Sequence, residues 1–142
     1  MMKSKHGEVW WTELNTRDPE GAREFYSKVM GWTPFVAAMG DVTRPAQPAE
    51  PNYKVFLMGE KPICGAFDMS TLEGLDNVPA HWLTYLAVDD VDESCRQITA
   101  SGGKAMQKPF DVAMVGGIAV IQDPTGAVVG IGTPAHCEPE AS

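Results

Sequence analysis

Five identities recur at one offset. Trp10 and Trp82, Thr12 and Thr84, Leu14 and Leu86, Asp18 and Asp90, and Gly31 and Gly103 each stand 72 residues apart. A repeat constrains the fold more than local propensity does, because each copy must be one supersecondary unit. The two copies also share a grammar. Residues 9–16 (VWWTELNT) and 81–88 (HWLTYLAV) alternate like half-buried strands, with aromatic and β-branched residues suited to a pleated surface. Asn15, Thr16 and Asp18 then offer caps, and Pro19 suits a first helical turn. Ala22, Phe25, Tyr26 and Val29 keep helical spacing until Gly31 ends the run. In the second copy Asp90 precedes Val91, Cys95 and Ile98, and Gly102 and Gly103 supply the stop.

Strand-like text follows each helix, at residues 53–58 and 63–69 in the first copy and 117–122 and 127–131 in the second. GEKPICGAF and QDPTGAVVG both place a Pro and a Gly between short apolar runs, which is hairpin chemistry. Residues 40–52, with Pro45, Pro48 and Pro51, read as a surface loop, and residues 70–80 join the halves. The expected organisation is a single domain over residues 6–134, with modules at about 7–70 and 79–133 and a flexible tail at 135–142.

A chain of 142 residues buries a sizeable core without staples. Its net charge of -8 repels phosphate backbones and anionic lipid, so neither nucleic acid nor membrane is expected as a partner. No run of eighteen apolar residues occurs, and the basic start has no apolar stretch behind it, so a cytoplasmic location is expected. Cys64, Cys95 and Cys137 are odd in number and widely spaced, which suggests reduced thiols, Cys95 a structural one on a helix. Serine-nucleophile, P-loop and dinucleotide fingerprints are absent from the sequence.

FY in the first helix, GW at its stop and a late DPTGA turn complete the pattern. With WWTELNTRDPEGAREFYSKVMGW, HWLTYLAVDDVD and VIQDPTGA, the chain resembles the glyoxalase/bleomycin-resistance/ring-cleaving dioxygenase (vicinal oxygen chelate) superfamily over roughly residues 7–133. The resemblance implies an α+β fold in which two tandem βαβββ modules form a curved eight-stranded sheet around a cavity, helices outside. It also implies a homodimer. Strand alternation sets Trp10, Thr12 and Leu14 with Trp82, Thr84 and Leu86 on one face, packed by helices. Trp11, Glu13 and Asn15 with His81, Leu83 and Tyr85 take the other face, which by the family pattern lines the cavity.

Active members of that superfamily hold a divalent metal with His and Glu side chains from both modules. The family's first-strand ligand stands seven residues before the helix-start Asp, at Trp11 and Leu83 here. Its late ligand stands four residues after the turn Gly, at Gly130 and, counted from Gly65, at Met69. None of these four is a Glu or His, so no cofactor is expected. A displaced divalent-metal site would have to use His81 and Glu13, too few for a usual catalytic centre. Gly117 stands where related proteins often carry an Arg, which argues against a phosphate- or carboxylate-rich substrate.

Glu13 is the candidate catalytic residue, an acid amid Trp10, Trp11 and Leu14, where burial favours proton transfer. Trp11, Glu13, Phe67, Met69, His81, Leu83, Tyr85 and Met114 are the expected ligand-binding residues, an aromatic and soft apolar lining. Two functions follow from the resemblance. One is metal-free binding of a small organic molecule, as in bleomycin-resistance proteins. The alternative is a divalent-metal-dependent lyase, isomerase or dioxygenase.

Overall fold

The computed structural model describes residues 5–39, 41–50, 52–71, 74, 77–106, 110–112 and 116–133. It divides into two compact units, residues 11–83 and residues 84–142 with the first ten residues. The division therefore runs through the first strand of each sequence copy.

The first half runs β1 (Val9–Thr16), α1 (Pro19–Met30), β2 (Thr33–Ala38), β3 (Asp41–Pro45), β4 (Asn52–Met58) and β5 (Lys61–Asp68), then a 3-10 turn at Met69–Thr71. Asp18 caps α1 by accepting from the Gly21 amide at 2.9 Å, with Pro19 in the first turn. Gly31 ends the helix at φ 72° and donates to the Ser27 carbonyl, a left-handed stop that favours glycine. Within residues 11–83 the strand order is β3-β2-β4-β5-β1. β1 runs parallel to β5, with Glu13 opposite Gly65, Leu14 opposite Ala66 and Asn15 opposite Phe67. β4 and β5 are antiparallel, with Val55 opposite Gly65. On the α1 face, Tyr26 stacks on Trp32 (5.2 Å, 15°) and stands edge-on to Trp82 (5.5 Å, 83°). The Trp82 Nε1 donates to the Tyr26 hydroxyl at 3.2 Å, and buried Phe56 lies beneath. Trp82 thus packs against the helix as alternation anticipated, and Trp32, at the helix stop, packs with it.

The second half runs β6 (His81–Ala87), α2 (Val91–Ala100), β7 (Lys104–Ala105), β8 (Phe110–Val112), β9 (Gly116–Gln122) and β10 (Val128–Gly132). Asp90 caps α2 through the Glu93 amide. The order is β6-β10-β9-β7, with β8 also paired to β9. β6 and β10 are parallel, with Tyr85 opposite Gly130 and Leu86 opposite Ile131. Val88, Val91, Ala119, Ile121 and Ile131 form the buried core, with Leu86, Cys95, Ile98 and Val129 against it. Burial raises the Cys95 thiol above its ordinary value, consistent with a packed, structural side chain.

The fold is α+β with two helices, but the described residues hold ten strands rather than eight. The second half has β7 and β8 where one strand was expected. In the first half, β3 replaces the loop expected at residues 40–52. It pairs with β2, Pro45 opposite Ala37, because proline is tolerated at the end of an edge strand, where its missing N–H leaves no ladder bond unmade. The turn that follows is closed by a clasp. Arg44 donates from both terminal nitrogens to Glu50, at 3.0 and 2.6 Å, and the Gln47 amide donates to the same carboxylate at 2.7 Å. The expected tail, His136 and Cys137 among its residues, lies outside the described residues. No helix among the described residues is long and apolar enough to cross a membrane.

The Arg44 hydrogen bonds, then that of Gln47, hold the Glu50 carboxyl down at about 2, against an ordinary 4.5. A carboxyl depressed in the folded state contributes stability above its unfolded value and loses it as pH falls through the folded one. Amide hydrogen exchange across residues 41–50 should therefore quicken beyond its chemical trend as pH drops from above 4.5 toward 2. Glu50→Gln should abolish that step while leaving global stability nearly unchanged, since the pair is only half-buried and joins residues of one edge turn.

Candidate functional site

The parallel pairing of β1 with β5 sets Glu13 beside Gly65 on one face of the sheet. Tyr53 belongs to that face too, since it alternates with Val55, which stands opposite Gly65. The face points away from α1, because Phe56, of the opposite parity on β4, is the residue that meets Tyr26. Glu13 is buried, 8% exposed, as is its neighbour Asn15. The Tyr53 hydroxyl donates to Glu13 Oε2, and the Trp11 Nε1 donates to the Tyr53 oxygen at 3.1 Å. Asn15 Nδ2 reaches the Glu13 carbonyl at 3.3 Å. The result is a directional chain, indole to phenol to carboxylate, that satisfies polar groups a sheet face would otherwise leave costly to bury.

Gly65 makes the chain fit. A Cβ built there would fall inside the van der Waals radius of the Tyr53 hydroxyl, so only glycine admits the ring in this pose. Its neighbour Cys64 points the other way and is buried, which pushes its thiol up to about 11; this is an inert, structural cysteine.

The second unit repeats the device with different residues. Tyr85 stands opposite Gly130, and its ring lies where a Cβ at 130 would go. Trp10 stands edge-on to Tyr85 (6.1 Å, 71°), and a Cβ at Gly132 would come within 2.6 Å of its ring. This corrects the helix-packed place expected for Trp10. Leu86, next to Tyr85, packs into the α2 core, so Trp10 and Tyr85 lie on the face away from α2. Pairing, not the repeat, decides the matter: Gly7, at φ 90°, and Glu8 form a bulge against Ala87, and two residues on, Trp10 meets Tyr85.

Of the expected binding residues, Trp11, Glu13 and Phe67 share one face within residues 11–83. Met69 is not on it in strand form: it sits in the 3-10 turn after β5, 1% exposed. Leu83 is buried, and its carbonyl accepts from the Thr12 hydroxyl at 3.4 Å. His81 places its Nδ1 2.8 Å from the Pro79 carbonyl. Tyr85 belongs to the other unit, and Met114 lies outside the described residues. Tyr53 was missed. The signal that finds it is Gly65 itself, a glycine inside an apolar strand that marks a close approach.

The strand pairing also revises one ligand position. In the first half the residue that stands where Gly130 stands in the second is Gly65, not Met69. The turn between β4 and β5 is at Gly59, φ 63°, so counting from Gly65 overshot. Trp11, Leu83, Gly65 and Gly130 offer no metal donor atoms, and two of these positions lie under tyrosine rings. Among the described residues no three His, Cys, Asp or Glu side chains converge as a metal would need. These residues do not fit the metal that the fold family uses.

The chain belongs to the Glyoxalase/Bleomycin resistance protein/Dioxygenase superfamily, whose family model matches residues 9–131. It is similar to CFP32 of Mycobacterium tuberculosis, a candidate glyoxylase by its name, with 33% identity over 129 residues, 91% of this chain and 45% of that protein. It is 26% identical over 141 residues to the anthracycline biosynthesis protein DnrV of Streptomyces peucetius, covering 92% of this chain and 48% of that one. The chain thus spans about half the length of these relatives. The crystal structure of methylmalonyl-CoA epimerase from Mycobacterium tuberculosis shares the fold, with a TM-score of 0.57 at 14% identity over 99% of this chain and 95% of the other.

Gly130→Ala should force the Tyr85 ring out of place and cost about 1–3 kcal/mol in urea unfolding, the usual cost of overpacking. Combined with Tyr85→Ala, which removes the obstacle, it should cost less than the sum of the two single changes.

Proposed function

We propose that this domain binds a small, largely apolar organic molecule on the sheet face that carries Trp11, Glu13, Tyr53 and Phe67, without a metal. It either sequesters that molecule or uses Glu13 as a general base on it. The observation that carries the reading is the buried Glu13 carboxylate, held by the Tyr53 hydroxyl beside an indole ring. A few convergent polar groups within aromatic surface are the usual make-up of a small-molecule site. The anthracycline relative makes planar polycyclic compounds the first class to test. The net charge of -8 favours cationic members of that class over anionic ones, and the glycine at position 117 removes an anion clamp. We take the working assembly to be a cytoplasmic homodimer, and relatives of about twice this length are compatible with a paired unit.

One observation favours the metal-dependent lyase, isomerase or dioxygenase reading. If His81 Nδ1 carries the proton that bonds the Pro79 carbonyl, Nε2 keeps its lone pair, the arrangement that orients a metal-ligating histidine. Glu13 would be the companion ligand.

Elemental analysis of untagged protein, with a thermal-shift scan over divalent metals and an anthracycline probe, separates the two. The expected result is no stoichiometric metal and a stabilisation by the probe, about 2.7 kcal/mol at a hundredfold excess over Kd. One metal per chain, lost in His81→Ala, would overturn the metal-free reading. Glu13→Gln should weaken probe binding in either version. For a catalyst it should also abolish turnover of any converted compound.

A further inference from the structure

We propose that Tyr53 is the positioning residue of this site, its hydroxyl fixing the Glu13 carboxylate on the sheet face, and that Gly65 is the position that lets it reach. The proposal deepens the Glu13 reading and rests on it for its functional meaning. Its structural content rests on three observations. The Tyr53 hydroxyl donates to Glu13 and accepts from Trp11, so the oxygen is oriented from both sides. The ring crosses from β4 over β5 to reach β1, a path that only a residue without a Cβ at 65 leaves open. On that face β5 presents Gly65 and Phe67, and β4 presents Tyr53 and Val55. Tyr53 is therefore a titratable group that these two strands bring to Glu13, with Trp11 and Asn15 beside it on β1.

The same geometry explains why a metal-ligating side chain and this tyrosine exclude one another. Any side chain at 65 would occupy the volume of the Tyr53 hydroxyl, and moving Tyr53 away would release Glu13. The carboxylate is thereby oriented by the phenol that donates to it. Removing a hydrogen bond donated to the charged form favours the neutral form, which gives the direction of the effect.

The test needs no ligand. The Glu13 carboxyl of the full chain, carbon-13 labelled, is titrated by NMR in the wild type, in Tyr53→Phe and in Gly65→Ala. Tyr53→Phe keeps the ring and removes only the hydroxyl. The expected result is about a tenfold higher proton affinity of Glu13, a midpoint about one unit higher. Gly65→Ala, which leaves Glu13, Tyr53 and Trp11 chemically intact, should move it the same way by displacing the ring. An unchanged midpoint in Tyr53→Phe would overturn the proposal and leave Tyr53 as packing alone, whether or not Gly65→Ala folds. The probe experiment stays separate. If Glu13→Gln binds the anthracycline as the wild type does, the functional reading fails while the titration still decides whether Tyr53 positions Glu13.

Discussion

In each half of the chain the first strand lies parallel to the last one, β1 beside β5 and β6 beside β10, and the functional face is a consequence of that pairing. A parallel pair cannot be closed by a tight turn, so the helix and the intervening antiparallel strands must fit into the connection. This is why strand, helix and further strands recur in the same order in both copies. It also brings together residues far apart in sequence: Glu13 meets Gly65, and Tyr85 meets Gly130. A glycine in either place removes a side chain from the centre of the face, and in both halves a tyrosine ring takes up the space.

Much of this was legible because it is local or repeated. Asp18, Pro19 and Gly31 announce the ends of α1 through capping chemistry that depends on adjacent residues alone. Glu13 stood out as an acid in an aromatic strand, and alternation placed it correctly on the face of Trp11 and Asn15. What was illegible depends on pairing. Trp10 and Trp82 are equivalent in the repeat, yet a bulge at Gly7 and Glu8 sets Trp10 against Tyr85, and no alternation within one strand encodes the register of its neighbour. Tyr53 opens a strand that looked unremarkable by itself. Its partners come from two other strands. β3 was hidden by Pro45 and the prolines that follow it, which weigh against a central strand but not against an edge whose turn is held by Arg44 and Glu50.

The two halves have diverged at one decisive position. Glu13 and Tyr85 are equivalent in the repeat and in the pairing, each opposite the glycine of its parallel neighbour. The first half has an acid there and borrows a tyrosine from β4 to cover its glycine. The second half has the tyrosine itself. At this position the first half has a carboxylate engaged by a phenol, and the second has an aromatic ring. The duplication has therefore kept its backbone while its chemistry has become one-sided.

On the first unit's face the Glu13 carboxylate has its donors arranged in sequence from Trp11 through Tyr53. The orientation of such a chain is fixed by its ends, because an indole N–H can only donate and an ionised carboxylate can only accept. Tyr53 is the one member that can do both, so it transmits the direction. A group held this way is pre-oriented before any ligand arrives, and pre-orientation is the part of a binding site that costs nothing further at the moment of binding. Fold membership leaves the chemistry open, since one scaffold hosts many reactions. The directed Trp11, Tyr53 and Glu13 chain is what this scaffold presents on the first unit's face: a buried carboxylate fixed by a phenol.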